Sequence, residues 1–501
     1  MSKRVTIIGS GISSLSSASF LAKEGYDVTI LEKNPTIGGR ARQFSVDGFV
    51  FDMGPSWYWM PDVFEQFYNK FGYTTADFYT LKRLDPSYRV YWQDDSYTNI
   101  PASETDLHSW FESLEKGSSL KLKKFLEEAS YKYDVGMKDL VYKPSLKVSE
   151  FADMRILKGL INLHLLSSFS RYIRRYFKNE KILSLLEFPV LFLGAMPKDT
   201  PALYSLMNYA DISLGTWYPM GGMFNIIEAF ERIARENGVT ILTDHEVTGI
   251  QHSGKTVTHV VTTKGTFETD ILISGADYQH TESTIMNGKA NYTERYWDKR
   301  TMAPSCLLFY LGIDKKVENL EHHNLFFDQP FEQHAKEIYK DPQWPSAPLF
   351  YVSAPSKTDA SVAPEGKENL FLLIPIAPDL KDDDATREKY FDMLMDRLEA
   401  RTGESIREHI IYKRSYCISD FKNDYHAFKG NAYGLANTLR QTAILKPSLK
   451  NKNLNNMYYT GQLTVPGPGV PPSIISGEVV AKQVLKEHAI SREITDKPTN
   501  Y

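Results

Sequence analysis

What this chain has little of narrows the field first. Its 501 residues include two cysteines, Cys306 and Cys417, and no Cys-x-x-Cys pair. Neither a disulfide framework nor a cysteine-ligated zinc site can be built from them, and so few thiols suit a reducing cytoplasm. No run of about 18 apolar residues occurs, so no segment reads as a spanning helix. The net charge of −4 gives nucleic acid no purchase. The N-terminus opens at once on a strand and a glycine turn, without the basic-then-apolar arrangement of a secretion signal, and a cytoplasmic location is expected. The pair His322-His323 has no third ligand at helical spacing and reads as two solvent-facing side chains; no metal site is expected.

What is present is an ordinary globular composition, 42% hydrophobic and 24% charged, with 30 Tyr and 27 Phe. So many aromatics either fill a core or house a large apolar ligand. The length exceeds one simple core and suits two or three interleaved units.

The organising stretch is the first forty residues. Val5, Ile7 and Ile8 form a strand that runs into Gly9-Ser10-Gly11; a small-residue helical pattern follows, then Val28-Thr29-Ile30-Leu31 and Glu32. Gly9 permits the tight turn, and Gly11 lets the backbone approach a pyrophosphate seated on the helix N-terminus. Glu32 can take both hydroxyls of an adenosine ribose and argues against a 2′-phosphate. The third glycine of this pattern is Ser14, at a site that only requires a small side chain. Gly38-Gly39-Arg40 add two more points of close backbone approach and a fixed cation.

Further along, Phe51-Asp52-x-Gly54-Pro55-Ser56 leads into Trp57-Tyr58-Trp59, a cluster that either fills the core or walls a site. Regions 62–72, 104–140 and 151–193 have helical periodicity. Within 155–188, Leu165, Leu166, Phe169, Tyr172, Ile173, Tyr176 and Phe177 share a stripe, and Arg171, Arg174, Arg175 and Lys178 occupy other faces. Such a helix either lies in a membrane interface or packs on the core. After Thr216–Met223 comes a helix, then strand runs at 239–242, 247–250, 257–261 and 271–273. Asp277 either meets a cofactor or caps a helix. Strands are expected at 307–313, 349–352 and 370–376, and a helix at 384–402. At the C-terminal end, Met457–Gly461 reads as strand into glycine, Gln462–Pro472 as a Gly/Pro-rich loop, and the residues from Ser473 as a helix whose positive end faces that loop.

Residues 5–40 and 51–56, the segment Gly215–Met223, and Pro466-Gly467-Pro468-Gly469-Val470-Pro471 followed by Ser476-Gly477-Glu478 together resemble the bacterial phytoene desaturase family. These are FAD-dependent carotenoid desaturases of the amine-oxidase-like flavoprotein superfamily. The likeness covers essentially the whole chain; Ser14 and Gln462-Leu463 depart from it. It implies an α/β fold: a Rossmann-like FAD-binding domain of the amine-oxidase/GDI-like type, a mixed-sheet substrate domain and a helical, membrane-associating insertion. The corresponding divisions are 1–80, 221–295 and 451–490 for the FAD-binding parts, 81–220 for the insertion, 296–450 for the substrate domain and 491–501 for a tail.

The resemblance implies FAD contacts at Gly9, Gly11, Ile12, Ser13, Ser14, Glu32, Lys33, Gly39, Arg40, Gly54, Pro55, Ser56, Trp57, Val247, Asp277, Gly461, Gln462, Gly469, Val470 and Pro471. It implies a carotenoid substrate, hydride transfer to flavin, a quinone or oxygen as electron acceptor, and a peripheral place on the inner face of the cell membrane, docked through 155–188. No proton-accepting or other catalytic side chain can be picked. Phytoene desaturation is the first expectation, and 3,4-desaturation of a later product such as a 1-hydroxycarotenoid is the alternative. A carotenoid isomerase and a non-enzymatic prenyl-binding protein of GDI type are further alternatives.

Overall fold

Strand β1 (Arg4–Ile8) is apolar enough that four of its five residues are buried, and it forms the centre of a five-stranded parallel sheet. Across that sheet the order is Met457–Tyr459, Ile271–Ser274, β1, β2 (Asp27–Leu31) and Thr240–Leu242, with Ile7 level with Ile273 on one side and Ile30 on the other. The chain thus returns to this sheet beside β1 from more than 260 residues downstream, and beside Ile271–Ser274 from more than 440. The structure is a computed structural model and describes residues 2–151, 167–191, 194–286, 288–438 and 440–489.

Helix α1 (Ile12–Lys23) carries serines at 13, 14, 16, 17 and 19, all buried. Small side chains are needed there because the C-terminal helix Val470–Glu487 lies directly on it. A Cβ on Gly477 would stand 2.4 Å from the Ser13 carbonyl oxygen and 2.6 Å from Ser16 Cβ. Three hydroxyls find backbone acceptors, Ser16 on Ile474 O at 2.8 Å, Ser17 on Ser14 O at 3.0 Å and Ser19 on Leu15 O at 2.8 Å, while Ser14 Oγ has none among the described residues. The substituted third glycine is compensated on the facing strand. A Cβ on Gly275 would fall 2.0 Å from Ser14 Oγ, so the space that Ser14 takes is given up by Gly275.

The second sheet has seven strands in the order Ile410–Tyr416, Ser305–Ile313, Glu368–Ile376, Phe350–Ser353, His323–Phe327, Tyr88–Trp92 and Tyr97–Ile100. Only the pair His323–Phe327 with Tyr88–Trp92 is parallel. The predicted helix at 384–402 forms as Asp384–Thr402, and the strand runs expected at 247–250 and 257–261 form as Val247–Ser253 and Thr256–Thr262, joined by Gly265–Glu268 in an antiparallel meander. Residues 88–100, inside the stretch read as a helical insertion, belong to the seven-stranded sheet.

Two expectations are corrected. His322 and His323 do not face solvent; they are 5% and 0% exposed. The strand His323–Phe327 is interior to its sheet, flanked by Phe350–Ser353 and Tyr88–Trp92, so neighbours cover it on either side. The stripe read as a membrane face is, over 169–177, a core face: Phe169, Tyr172, Ile173 and Phe177 are all buried. Phe177 packs edge-on to Phe111 at 5.6 Å and Phe125 at 6.1 Å, and Arg174 turns outward to pair with Glu187 at 2.5 Å. The apolar side of this stretch finds helix partners within the chain, the commoner use of such a pattern. Leu165 and Leu166 lie outside the described residues. Among the described residues no helix is long and apolar enough to cross a membrane.

Candidate functional site

Two helices that begin without a side-chain cap, α1 behind Gly11 and the C-terminal helix behind Gly469, point their N-termini the same way. The first N–H groups of α1 are therefore free for a ligand, whereas the C-terminal helix, which opens Val470-Pro471-Pro472, offers that of Val470 alone; each end carries partial positive charge. Both ends open onto one cavity of about 500 Å³. Of the candidate residues taken from the sequence, Ser14 alone stays out of its lining, turned instead against Gly275.

At one end the cavity is a polar cradle. Gly9 has φ +83°, a left-handed turn that a side chain would strain. Gly39 lies against Gly11, where a Cβ would meet Gly11 Cα at 3.4 Å; a Cβ on Gly54 would stand 2.4 Å from the Arg40 carbonyl oxygen. Glu32, 4% exposed, accepts from Ser10 N at 2.8 Å, Ser10 Oγ at 2.6 Å and Asn34 N at 2.8 Å. Val247 is buried at the start of its strand beside this end.

Arg40 is the least satisfied group in the cradle. Its Nη2 reaches only Asn431 O at 3.3 Å, and its buried Nε has no hydrogen-bond partner among the described residues. Burial lowers its pKa from the usual guanidinium value, partly offset by the Asp277 carboxylate. Asp277 caps the short helix after it, accepting from His280 N at 3.1 Å, and also receives Phe428 N at 3.1 Å. Burial raises its pKa, against those bonds and Arg40. Asp277 is thus a helix cap, and the residue also lines the cavity.

A strap at 423–428 closes the cradle from outside, and sequence reasoning missed it. Lys33 donates to Asn423 O, Asn34 Nδ2 to Asp424 O at 3.2 Å, and Arg42 pairs with Asp424. Arg40 lies 4.9 Å over the Tyr425 ring, and the His426 ring stacks on His280 at 4.0 Å with Nε2 2.8 Å from Glu246 Oε1. No local motif signals such a strap, because its partners lie up to 390 residues away. At the opposite wall Gly461 N donates to Ser476 Oγ at 2.9 Å, and Gln462 Nε2 to Asn431 Oδ1 at 3.2 Å.

Beyond the Gly54-Pro55-Ser56 turn the cavity continues as an apolar chamber under the seven-stranded sheet, walled by Leu308, Leu325, Phe371, Leu373, Phe327 and Phe188. Tyr310 donates to Met53 O at 2.8 Å and pins the turn to the sheet. Trp57 and Trp59 line the chamber, while Tyr58 is fully buried with its hydroxyl 3.0 Å from that of Tyr79. His334 is spent on structure: Nδ1 accepts Leu349 N at 3.0 Å and Nε2 donates to Pro375 O at 2.8 Å. Burial lowers its pKa to about 4 and pushes the Cys306 thiol up to about 12. Tyr351, also on the wall, has its hydroxyl 2.6 Å from His323 Nδ1 and 3.1 Å from Ser56 Oγ. Among the described residues no group of three or more His, Cys, Asp or Glu is placed to hold a metal ion.

A cradle with two open helix ends and one buried arginine fits a dinucleotide, and the chamber fits a long apolar molecule. Known proteins agree. Residues 12–485 match the family described as flavin-containing amine oxidoreductase. The chain is 38% identical over 487 residues to a carotenoid 3,4-desaturase of Haloarcula japonica, covering 97% of this chain and 98% of the relative. It is 30% identical over 500 residues to a zeta-carotene-forming phytoene desaturase of Myxococcus xanthus, covering 96% and 94%. Among solved structures, an oxidoreductase from Methanosarcina mazei superimposes with a TM-score of 0.65 at 17% identity, over 96% of this chain and all of that one.

Proposed function

The chain belongs to the family of flavin-containing amine oxidoreductases, and on that premise we propose that it is an FAD-dependent carotenoid desaturase acting on CH–CH bonds. The observation that carries the reading is the continuity of one cavity from the dinucleotide cradle into an apolar chamber whose wall presents no carboxylate to hold an ammonium group. FAD fits the cradle on the chain's own terms. Arg40 is a buried cation whose Nε has no hydrogen-bond partner among the described residues, Gly39 and Gly54 leave room only for backbone approach, and the N-terminus of α1 offers unpaired N–H groups. When bound, FAD supplies the hydride acceptor.

The protein's residues do the rest. Gly9, Gly11, Ser13 and Arg40 hold the diphosphate, and Glu32 the ribose. The loop Gly461–Pro471, with the C-terminal helix behind it, holds the flavin end and favours negative charge there. Leu308, Leu325, Phe371 and Leu373 orient the isoprenoid chain and keep water from the reacting carbons.

The higher identity to the carotenoid 3,4-desaturase favours a late substrate, already partly conjugated, over phytoene. The electrons pass on to a quinone or oxygen. Delivery of so apolar a substrate calls for contact with the cytoplasmic face of a membrane. Leu120 and Val148, 78% and 71% exposed, support that reading. Expression in cells that make acyclic carotenoids tests it: 3,4-desaturated pigments are expected, and phytoene consumption without them returns the assignment to the earlier step. Purified protein should be yellow and bleach on anaerobic reduction.

A further inference from the structure

Desaturation removes a hydride from one carbon and a proton from its neighbour, and the residues that receive the proton remain to be found. Carboxylates on the cavity, Glu32, Glu246, Asp277 and Asp424, all sit at the dinucleotide end with protein partners. In the chamber, His334 has both nitrogens engaged, and Cys306 shares its thiol with Tyr433. One route leads from the chamber through a phenol to a buried imidazole. Tyr351 lines the wall, and its one hydroxyl proton has two acceptors within reach, Ser56 Oγ at 3.1 Å and His323 Nδ1 at 2.6 Å. Behind it, His323 is 0% exposed and its Nε2 has no hydrogen-bond partner among the described residues. The Trp57 indole stacks on the His323 ring at 4.0 Å and 13°.

We propose that Tyr351 and His323 form the proton acceptor of the desaturation, with the phenol proton turned to His323 Nδ1, the nearer of its two acceptors. The proposal rests on the desaturase reading above. Once the hydride has left with the C–H electron pair, which bound FAD would accept, the substrate is an allylic cation conjugated with the polyene. The neighbouring C–H bond breaks, and its electron pair becomes the new C=C bond. Its proton passes to Tyr351 Oη while the Tyr351 proton moves to Nδ1 of His323, leaving a neutral product and an imidazolium. That proton leaves through Tyr351 to solvent after product release.

Burial lowers the basicity of His323, but a carbon acid next to a carbocation is so strong that a weak base suffices. The stacked indole favours the charged ring that results. A purely structural reading of the same groups, a buried tyrosine held between two neighbours, predicts no effect on the chemistry of proton loss.

The test uses purified FAD-loaded enzyme and a carotenoid substrate deuterated either at the hydride-donating carbon or at its neighbour. In Y351F and H323Q, turnover is expected to fall about a hundredfold, the scale of a lost acid–base group. FAD content and melting temperature should hold, and an isotope effect should appear at the neighbouring carbon that wild type lacks. Y351F keeps the ring, so it decides the matter if H323Q fails to fold. Folded Y351F that retains turnover within about threefold, with no isotope effect at the neighbouring carbon, overturns the relay. Wild type that holds FAD yet desaturates no carotenoid overturns the functional reading instead, a result distinguishable because it precedes any variant.

Discussion

The cradle and the chamber adjoin in one cavity but are built on opposite principles. The cradle recognises its ligand with backbone: glycines 9, 11, 39 and 54 and two helix ends, with Arg40 the main side chain. The chamber recognises with side chains, drawn from strands of a sheet whose members lie far apart in sequence. Backbone recognition tolerates no added atom, whereas side-chain walls can be reshaped. Changes in the cradle should therefore act on FAD retention, and changes in the chamber on carotenoid turnover with FAD in place.

The largest expected effect tests the first half. Gly54→Ala places a methyl 2.4 Å from a backbone oxygen that cannot step aside, so purified protein should be colourless, read from absorbance at the flavin maximum. Arg40→Ala comes next. Loss of a charge-assisted bond to phosphate, about 1.5–3 kcal/mol, should weaken FAD binding by about 10- to 100-fold in a fluorescence titration. In the chamber, Leu373→Trp should leave FAD stoichiometry at one and cut turnover by about tenfold, as hydrophobic pockets discriminate by size. FAD loss in that variant would break the comparison.

The smallest effect concerns the chamber's backing. Asp211, behind Tyr88 whose ring meets Trp57 at 5.5 Å, accepts from the Tyr88 hydroxyl at 2.8 Å. Burial raises its pKa to about 7 despite that bond. Native protein therefore binds a proton that the unfolded chain releases near pH 4, and wild-type stability declines as pH rises from 4 to 7. Asp211→Asn lacks this term, so its melting temperature should gain on wild type by a few degrees across that window.

The same contrast explains what could be read in advance. Gly9, Gly11, Glu32, Gly39, Arg40 and the loop at 461–471 announce themselves because a backbone site needs glycines at fixed offsets within a short stretch. Three strands of the larger sheet, near 307–313, 349–352 and 370–376, and the helix at 384–402 were legible from periodicity, while the strands at 88–100, 323–327 and 410–416 were not. His323 was misread, because two adjacent histidines look polar until the sheet order shows their strand flanked on both sides. The stripe at 169–177 was misread for a related reason: periodicity says that a face is apolar and is silent on whether protein or lipid covers it. The strap at 423–428 and the Tyr351 contact join residues hundreds of positions apart, which no local pattern encodes.

Because the central parallel sheet takes its edge from Met457–Tyr459 and the cradle its far wall from residues 461–472, a ribosome must release nearly the whole polypeptide before either can close. A nascent chain carries an open-sided sheet for most of its synthesis, exposed to chaperones, and acquires its colour only at the end. A premature stop anywhere upstream of that edge strand should yield a flavin-free polypeptide, however intact its opening glycines.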